Sequence, residues 1–433
     1  MTAAPAKRYL DIIDPIHGYI RVFDREVAVI DHPLFQRLRR IRQLSGAHLT
    51  YPSAQHTRFE HSLGVMHIAS QAGHMLMDKG IMDPDRIALL RLAALLHDIG
   101  HGPFSHLFEE ILHLSHSSHE QFGKRLILES EIGDILSRHG FGKKEVVDVA
   151  FGTSGHQYMN QIISGALSAD MMDYLRRDSY FTGAQMGRTE HQRILQSFDV
   201  HKRELALERS ALYSFESMMH ARYQMFKAVY FHRTVRAAEV MLLEALRISD
   251  AEFGFTTFDL DDVPNLTDEP VLSMMATTDV PELARARSLA VDYRNRRLLK
   301  CVFERIITSR RKLQGIKTDR LRSAISDASG VPESAIFVDS SATPSIPLAP
   351  SKSESSHILV VSPRSSGGSS RRRGGGGSSS SRRRGKEAER MPISDIPSVH
   401  AISGFMNILR VYTTSRYRNK VEIATRSTLD DIS

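Results

Sequence analysis

The sequence predicts a mainly α-helical chain, with a helical core over residues 1–250 and a smaller α+β C-terminal region. Three observations carry this. In Asp85–Asp98, Ile87, Leu90, Ala94 and Leu95 recur near helical spacing. Patterns of the same kind return in Phe59–Lys79, His119–Leu128, Ile162–Tyr180 and Leu212–Ile248. Strand-like runs are few and short: Tyr19–Val22 with Val27–Ile30, then Ala335–Val338 and His357–Val361.

Punctuation residues set the boundaries. Pro84 opens the Asp85–Asp98 helix, where proline is tolerated, and Gly100, Gly102 and Pro103 then bend the chain. Residues 251–339 read as a helical and mixed region. It includes a long basic helix over 283–312 that carries Arg285, Arg287, Arg294, Arg296, Arg297 and Lys300. Residues 340–391, with SSGGSSRRRGGGGSSSSRRRGKEAER, bury too little apolar surface to offset chain entropy and read as a flexible linker or loop. Residues 392–433 form an ordered arm, and the alternation in 404–424 suggests one or two strands.

Composition narrows the function classes. The net charge is +7, but residues 340–391 hold ten Lys or Arg against three Glu, which accounts for all of it. The basic character therefore belongs to one low-complexity stretch, and only weak nucleic-acid contact is expected from it. No apolar run reaches the roughly 18–20 residues that span a bilayer, and the N-terminus lacks a secretory h-region. Membrane contact is not expected. The single cysteine, Cys301, rules out an internal disulfide framework and fits a cytoplasmic protein. Any metal must then be held by histidine and carboxylate.

The 21 histidines are concentrated near acidic residues in the first part of the chain. The densest segment is HDIGHGPFSH, from His97 to His106. Adjacent His97 and Asp98 offer a nitrogen and an oxygen ligand, a set suited to Mn, Fe, Zn, Ni or Co. His97 and His101 share a face if the helix continues through the glycines. His61 in RFEHSLG and Asp170 in SADMMDYLRRD are candidates for two further ligands. Asp170 and Asp173 fall on one helix face, as do Tyr174 and Asp178. Asp173 reads as structural, paired with Arg176 or Arg177.

HDIGHGPFSH resembles the central motif of the HD superfamily. HPLFQRLRRIRQLSG and YPSAQHTRFEHSLGVMH precede it, and SHEQ and DYLRRD follow. In this order they are similar to the dNTP triphosphohydrolase branch, that of the SAM-and-HD-domain proteins and bacterial dGTPases. The likeness covers about Asp11–Ile248, and 283–302 and 404–424 more thinly. It implies an HD-domain helical core, with one divalent transition metal on His61, His97, Asp98 and Asp170, and Mg arriving with the nucleotide. It implies that His101, His106 and His119 surround the scissile phosphate, with His106 as general acid. By the same likeness Arg58 and Arg222 meet phosphate, Gln43, Tyr174 and Asp178 hold a deoxyribose, and Tyr230 crowds its 2′ position. It also implies a GTP or dGTP activator held by Asp31, Gln36, Arg39, Arg296 and Lys300 at the interface of a homodimer or homotetramer. Three positions depart from the branch: Met171 stands where a lysine meets phosphate, Phe231 where a glutamine follows the tyrosine, and Ile13 where a polar residue meets the activator.

The expected function is thus dNTP hydrolysis to deoxynucleoside and triphosphate. The alternatives are an HD phosphohydrolase acting on another nucleotide or nucleic-acid phosphate ester, and a nucleotide-sensing or nucleic-acid-binding oligomer. The full ligand set argues against the non-enzymatic reading.

Overall fold

The expected helices form around the glycine-rich bend. The computed structural model describes residues 9–257, 259–307, 317–344, 357–362, 387–402 and 405–430. Helix Arg58–Asp78 begins at a capping box in which Thr57 N–H donates to Glu60 at 2.9 Å. Helix Pro84–Leu96 begins with Asp83 accepting from Arg86 N–H at 2.9 Å. The two helices pack together and bury Leu63, Met66, Leu90 and Leu92 in the main core. Helices His119–Glu129 and Ala169–Thr182 join that core.

Several expectations change. Ile162–Tyr180 is two helices, Gln157–Ile163 and Ala169–Thr182, because the intervening segment holds Gly165 at φ +154° and Ser168 caps the second. Leu212–Ile248 divides into Leu212–Met225, a π turn over Phe226–Tyr230, and Arg233–Phe253, which His232 caps through Thr234 N–H. Val27–Ile30 is not a strand. Asp24–Ile30 is helical, since Glu26 accepts from Phe23 N–H at 2.6 Å and pairs, fully buried, with Arg91 at 2.7 Å. The long basic helix over 283–312 stops at Arg294. Arg296 takes a left-handed φ of +55°, and the chain then runs on as a strand from Lys300.

The strands build three sheets. β1 (Tyr9–Asp14) and β2 (Gly18–Phe23) form an antiparallel ribbon. β3 (Phe198–His201), β4 (Glu204–Glu208), β7 (His357–Ser362) and β8 (Glu387–Pro392) form a four-stranded sheet in that order, with β4 and β7 parallel. β5 (Lys300–Ile307), β9 (Phe405–Thr413) and β6 (Ile336–Pro344) form an antiparallel three-stranded sheet. The 340–391 stretch is therefore not uniform. The apolar run of β7 is buried on both faces, Ile358 and Val360 on one and Leu359 and Val361 on the other. The Arg clusters at 371–373 and 382–384 lie outside the described residues.

Two smaller cores follow the main one. Helix Arg233–Phe253 packs with helices His106–Leu114, Asp268–Thr277 and Ala284–Arg294. Helices Thr318–Ser329 and Arg418–Asp430 cover the three-stranded sheet. Among the described residues, no helix is long and apolar enough to cross a membrane.

Candidate metal centre and substrate cavity

Three chain segments converge. His61 lies one turn into helix Arg58–Asp78, and His97 is the first residue beyond helix Pro84–Leu96. Asp170 occupies the first turn of Ala169–Thr182, where Ser168 Oγ accepts from Met171 N–H at 3.1 Å. Ligand atoms of His61, His97 and Asp170 all lie within 4.8 Å of one another. His61 Nε2 is 3.1 Å from Asp170 Oδ1 and 3.6 Å from Asp98 Oδ2. His97 Nε2 is 3.3 Å from Asp98 Oδ1. Asp98 flanks the triad, with its other oxygen 2.5 Å from Arg58 Nη1. Helix Pro84–Leu96 ends before His97, so His97 and His101 reach the site from a turn and do not share a helix face.

The outer ring nitrogens fix the tautomers. His97 Nδ1 lies 2.8 Å from Ala94 O, a pure acceptor, so Nδ1 carries the proton. His61 Nδ1 lies 2.8 Å from the Asp173 carboxylate. Both Nε2 lone pairs then face inward, and both are buried with no hydrogen-bond partner. Two bare imine nitrogens beside an acidic group fit a divalent cation, with orienting acceptors behind the ligands. A proton competes with the cation for His61 Nε2: burial opposes charge there, yet Asp170 and Asp173 raise it to about 10, so metal binding would release that proton. Burial likewise opposes charge on Asp98, yet Arg58, His97 and His101 hold it well below the carboxylate range.

A histidine group stands beside the triad. His101 is buried, with Nε2 3.3 Å from Asp98 Oδ1, and burial together with Arg58 and His119 holds it well below its usual pKa. It stacks on His119 with centroids 4.3 Å apart at 13°, and meets the exposed His106 edge-on at 5.5 Å. Burial lowers His119, but Glu109, 2.6 Å from its Nδ1, more than offsets this and raises it. The bend approaches closely: a Cβ on Gly100 would lie 2.0 Å from His119 O. Phe104 and Ser105 both take left-handed φ, +59° and +53°. Asp268 holds them there, accepting from Phe104 N–H at 2.8 Å, as does Arg58, whose Nε donates to Ser105 Oγ at 2.9 Å.

The opposite wall is polar and aromatic. Tyr230 closes the π turn and donates to Asp178 Oδ2 at 2.6 Å, while Asp178 Oδ1 lies 2.8 Å from His56 Nε2. Tyr174 meets Tyr230 edge-on at 6.5 Å. Gln43 is buried with Oε1 unpartnered. Arg222 is 9% exposed, and its nearest recorded polar contact is Met171 Sδ at 3.5 Å. No ion pair to Arg222 is found among the described residues. Gln43, Tyr174, Asp178, Arg222 and Tyr230 line one cavity of about 920 Å³ with His97, Asp98, His101, His106, His119, Arg58 and Asp170. His61 stands behind that lining, buried.

The five residues expected at an activator site lie outside this cavity. Gln36 and Arg39 join at 2.9 Å, and Arg39 lies over the Phe59 ring. Arg296 donates to Leu49 O at 2.8 Å. No hydrogen bond or ion pair links Asp31, Gln36 or Arg39 to Arg296 or Lys300 among the described residues. Sequence reasoning missed four supports: Glu109 behind His119, His56 behind Asp178, the π turn that places Tyr230, and the role of Asp173. Asp173 pairs with Arg177 as expected, but it also orients His61. A helical pattern that runs straight from Leu212 to Ile248 hides the π turn.

Comparison with known proteins places this geometry. The HD domain model matches residues 58–178, and the HD-associated region model matches 189–360. The Bacillus subtilis protein YwfO is 38% identical over 251 residues, 56% of this chain and 57% of that protein. The deoxynucleoside triphosphate triphosphohydrolase SAMHD1 homolog of Dictyostelium discoideum is 30% identical over 352 residues, 76% of this chain and 66% of its own length. The human deoxynucleoside triphosphate triphosphohydrolase SAMHD1 is 28% identical over 70% of this chain and 56% of its own. The chain thus spans between about half and two thirds of these relatives. A crystal structure of an Aquifex aeolicus protein superposes with a TM-score of 0.75 at 26% identity, covering 96% of this chain and 100% of that one. With its HD domain, its HD-associated region and this converging ligand group, the chain belongs to the HD superfamily of phosphohydrolases.

Proposed function

We propose that the chain is a metal-dependent deoxynucleoside triphosphate triphosphohydrolase that converts a dNTP and water to a deoxynucleoside and inorganic triphosphate. The observation that carries this is Arg222: a buried guanidinium that rests on the Tyr174 and Phe226 rings, has no ion pair among the described residues, and lines the same cavity as Asp170 and His97. A buried cation held by ring faces alone gains further when an anion arrives to meet it. Tyr174, Tyr230, Asp178 and Gln43 on the opposite wall support a sugar, and the relatives named for dNTP hydrolysis support a deoxynucleotide.

His61, His97, Asp98 and Asp170 would hold the ion, which would lower the pKa of a water and polarise a phosphoryl oxygen. Arg58 and Arg222 grip phosphate oxygens, and His119, whose charged form Glu109 favours, stands beside them. Water adds to the α-phosphorus and sheds a proton to solvent, and the bond from that phosphorus to the sugar oxygen breaks. His106, at the cavity rim, gives the departing oxygen its proton and regains a proton from solvent after the step. Activation by GTP or dGTP at Asp31, Gln36, Arg39, Arg296 and Lys300, and assembly as a dimer or tetramer, are proposed with this reading and rest on the SAMHD1 likeness.

A second reading, another nucleotide phosphate ester as substrate, is favoured by Met171, which leaves one fewer cation at the phosphates. A substrate panel with Mn, Mg, Fe, Co and Ni, with and without GTP or dGTP and with products separated by chromatography, decides between them. Deoxynucleoside plus triphosphate supports the first reading. Monophosphate, diphosphate or pyrophosphate moves the assignment to the second. Light scattering with and without nucleotide tests the assembly.

A further inference from the structure

We propose that His17, in the turn of the N-terminal ribbon, is a positioning residue of the metal centre, acting through Asp173 to hold His61 in its ligating orientation. This rests on His61, His97 and Asp170 being metal ligands. The turn is itself well defined: Asp14 Oδ1 accepts from the backbone N–H of Ile16 and of His17, both at 2.9 Å, and Gly18 takes φ +73°. His17 Nε2 lies 2.6 Å from Asp173 Oδ1, and both side chains are almost fully buried. The other oxygen of Asp173 is 2.8 Å from His61 Nδ1.

A carboxylate offers about four lone-pair sites, and Asp173 uses all of them. Arg177 takes one on each oxygen, Nε to Oδ2 at 2.8 Å and Nη2 to Oδ1 at 2.9 Å. His17 takes the second on Oδ1, and His61 the second on Oδ2. The contact with His17 opposes rotation of the carboxylate toward Arg177 and away from His61. Two further features serve the same arrangement. Arg177 Nη1 reaches back 2.8 Å to Asp14, whose other oxygen shapes the turn. Gly64, one turn beyond His61, leaves room that a Cβ would fill, since it would sit 1.9 Å from Asp173 Oδ1. Asp170 lies three residues before Asp173 on the same helix, so the turn braces the carrier of a second ligand as well.

The test uses two substitutions in the full chain. His17→Met removes the donor at similar volume, and His17→Gln keeps an N–H at similar reach. Mn(II) alone is titrated by calorimetry, and melting is followed in parallel. The expected result is affinity about 10- to 100-fold weaker in His17→Met, affinity within about threefold of wild type in His17→Gln, and turnover in His17→Met restored at saturating Mn(II). Equal Mn(II) affinity in the two variants overturns the proposal. So does a His17→Met protein that fails to fold where His17→Gln folds, because the contact is then structural. Wild-type protein that takes no Mn(II) overturns the ligand assignment beneath it. No nucleotide enters the titration, so failure of the dNTP reading leaves this result intact.

Discussion

Glu109 Oε1 lies 2.6 Å from His119 Nδ1, so the carboxylate favours the charged form of a histidine stacked on His101 at the cavity. The groups around His119 are His101, His106, Glu109, Asp98 and Arg58; burial and Arg58 act against its charge, and the carboxylates act for it. The net shift is upward. His119 therefore keeps its charge to higher pH than an ordinary histidine and loses it as pH rises through that raised value. If it grips phosphate, KM for the nucleotide rises on the alkaline side. Glu109→Gln should move that rise to lower pH while leaving the acidic limb in place. A KM–pH profile that does not move in Glu109→Gln removes His119 from the phosphate grip.

Arg222 predicts an opposition between stability and function. A buried guanidinium with ring faces but no ion pair among the described residues is costly to bury, and if it meets phosphate the substrate offsets that cost. Arg222→Met should therefore hold or raise the melting temperature. The same change should lower kcat/KM by roughly 100-fold, the loss expected for one phosphate-binding charge in a dry site. A variant that melts lower than wild type with normal kcat/KM makes Arg222 a structural residue.

Gly64 predicts a packing limit. A methyl group there must displace Asp173, which is anchored by Arg177 and His17 and cannot swing freely. Gly64→Ala should cost about 1–3 kcal/mol of stability, as overpacking does. It should also reduce bound Mn(II), because His61 loses its orienting acceptor. Metal content measured after dialysis against Mn(II) separates the two effects. Full Mn(II) occupancy in a destabilised Gly64→Ala protein shows that the carboxylate can yield without disturbing the ligand.

These cases show which parts of the site are legible in a sequence. The His97–Asp98 pair, the glycine bend and the first-turn position of Asp170 are local, so motif and spacing reveal them. The resemblance of these motifs to the HD superfamily is matched by the HD domain over residues 58–178. The supports are not local. His17 and Asp173 are separated by 156 residues, His56 and Asp178 by 122, and only the packed fold brings them together. Errors of element type have the same origin. Val27–Ile30 reads as a strand until Glu26, just before it, is seen capping a helix and paired in the core with Arg91. Lys300–Ile307 reads as basic helix until β9 pairs with it.

Tyr230 predicts the sugar preference. Its hydroxyl is tied to Asp178 at 2.6 Å and its ring faces Tyr174, so the side chain is held from two directions; if a deoxynucleotide binds as proposed, it cannot step aside for an extra 2′-hydroxyl. Rigid exclusion of this kind discriminates by roughly 10- to 200-fold. Tyr230→Phe removes the tether and leaves Asp178 Oδ2 without its donor, which should cost about 1–3 kcal/mol. The ring remains, so most of the preference for deoxyribose should survive. Tyr230→Ala removes the ring too, and the ratio of kcat/KM for dGTP over GTP should fall toward unity. Ratios measured in both variants with the same metal test the wall directly. If Tyr230→Ala discriminates as strongly as wild type, the 2′ position is read elsewhere in the cavity, and Gln43, with its unpartnered Oε1, becomes the residue to change next.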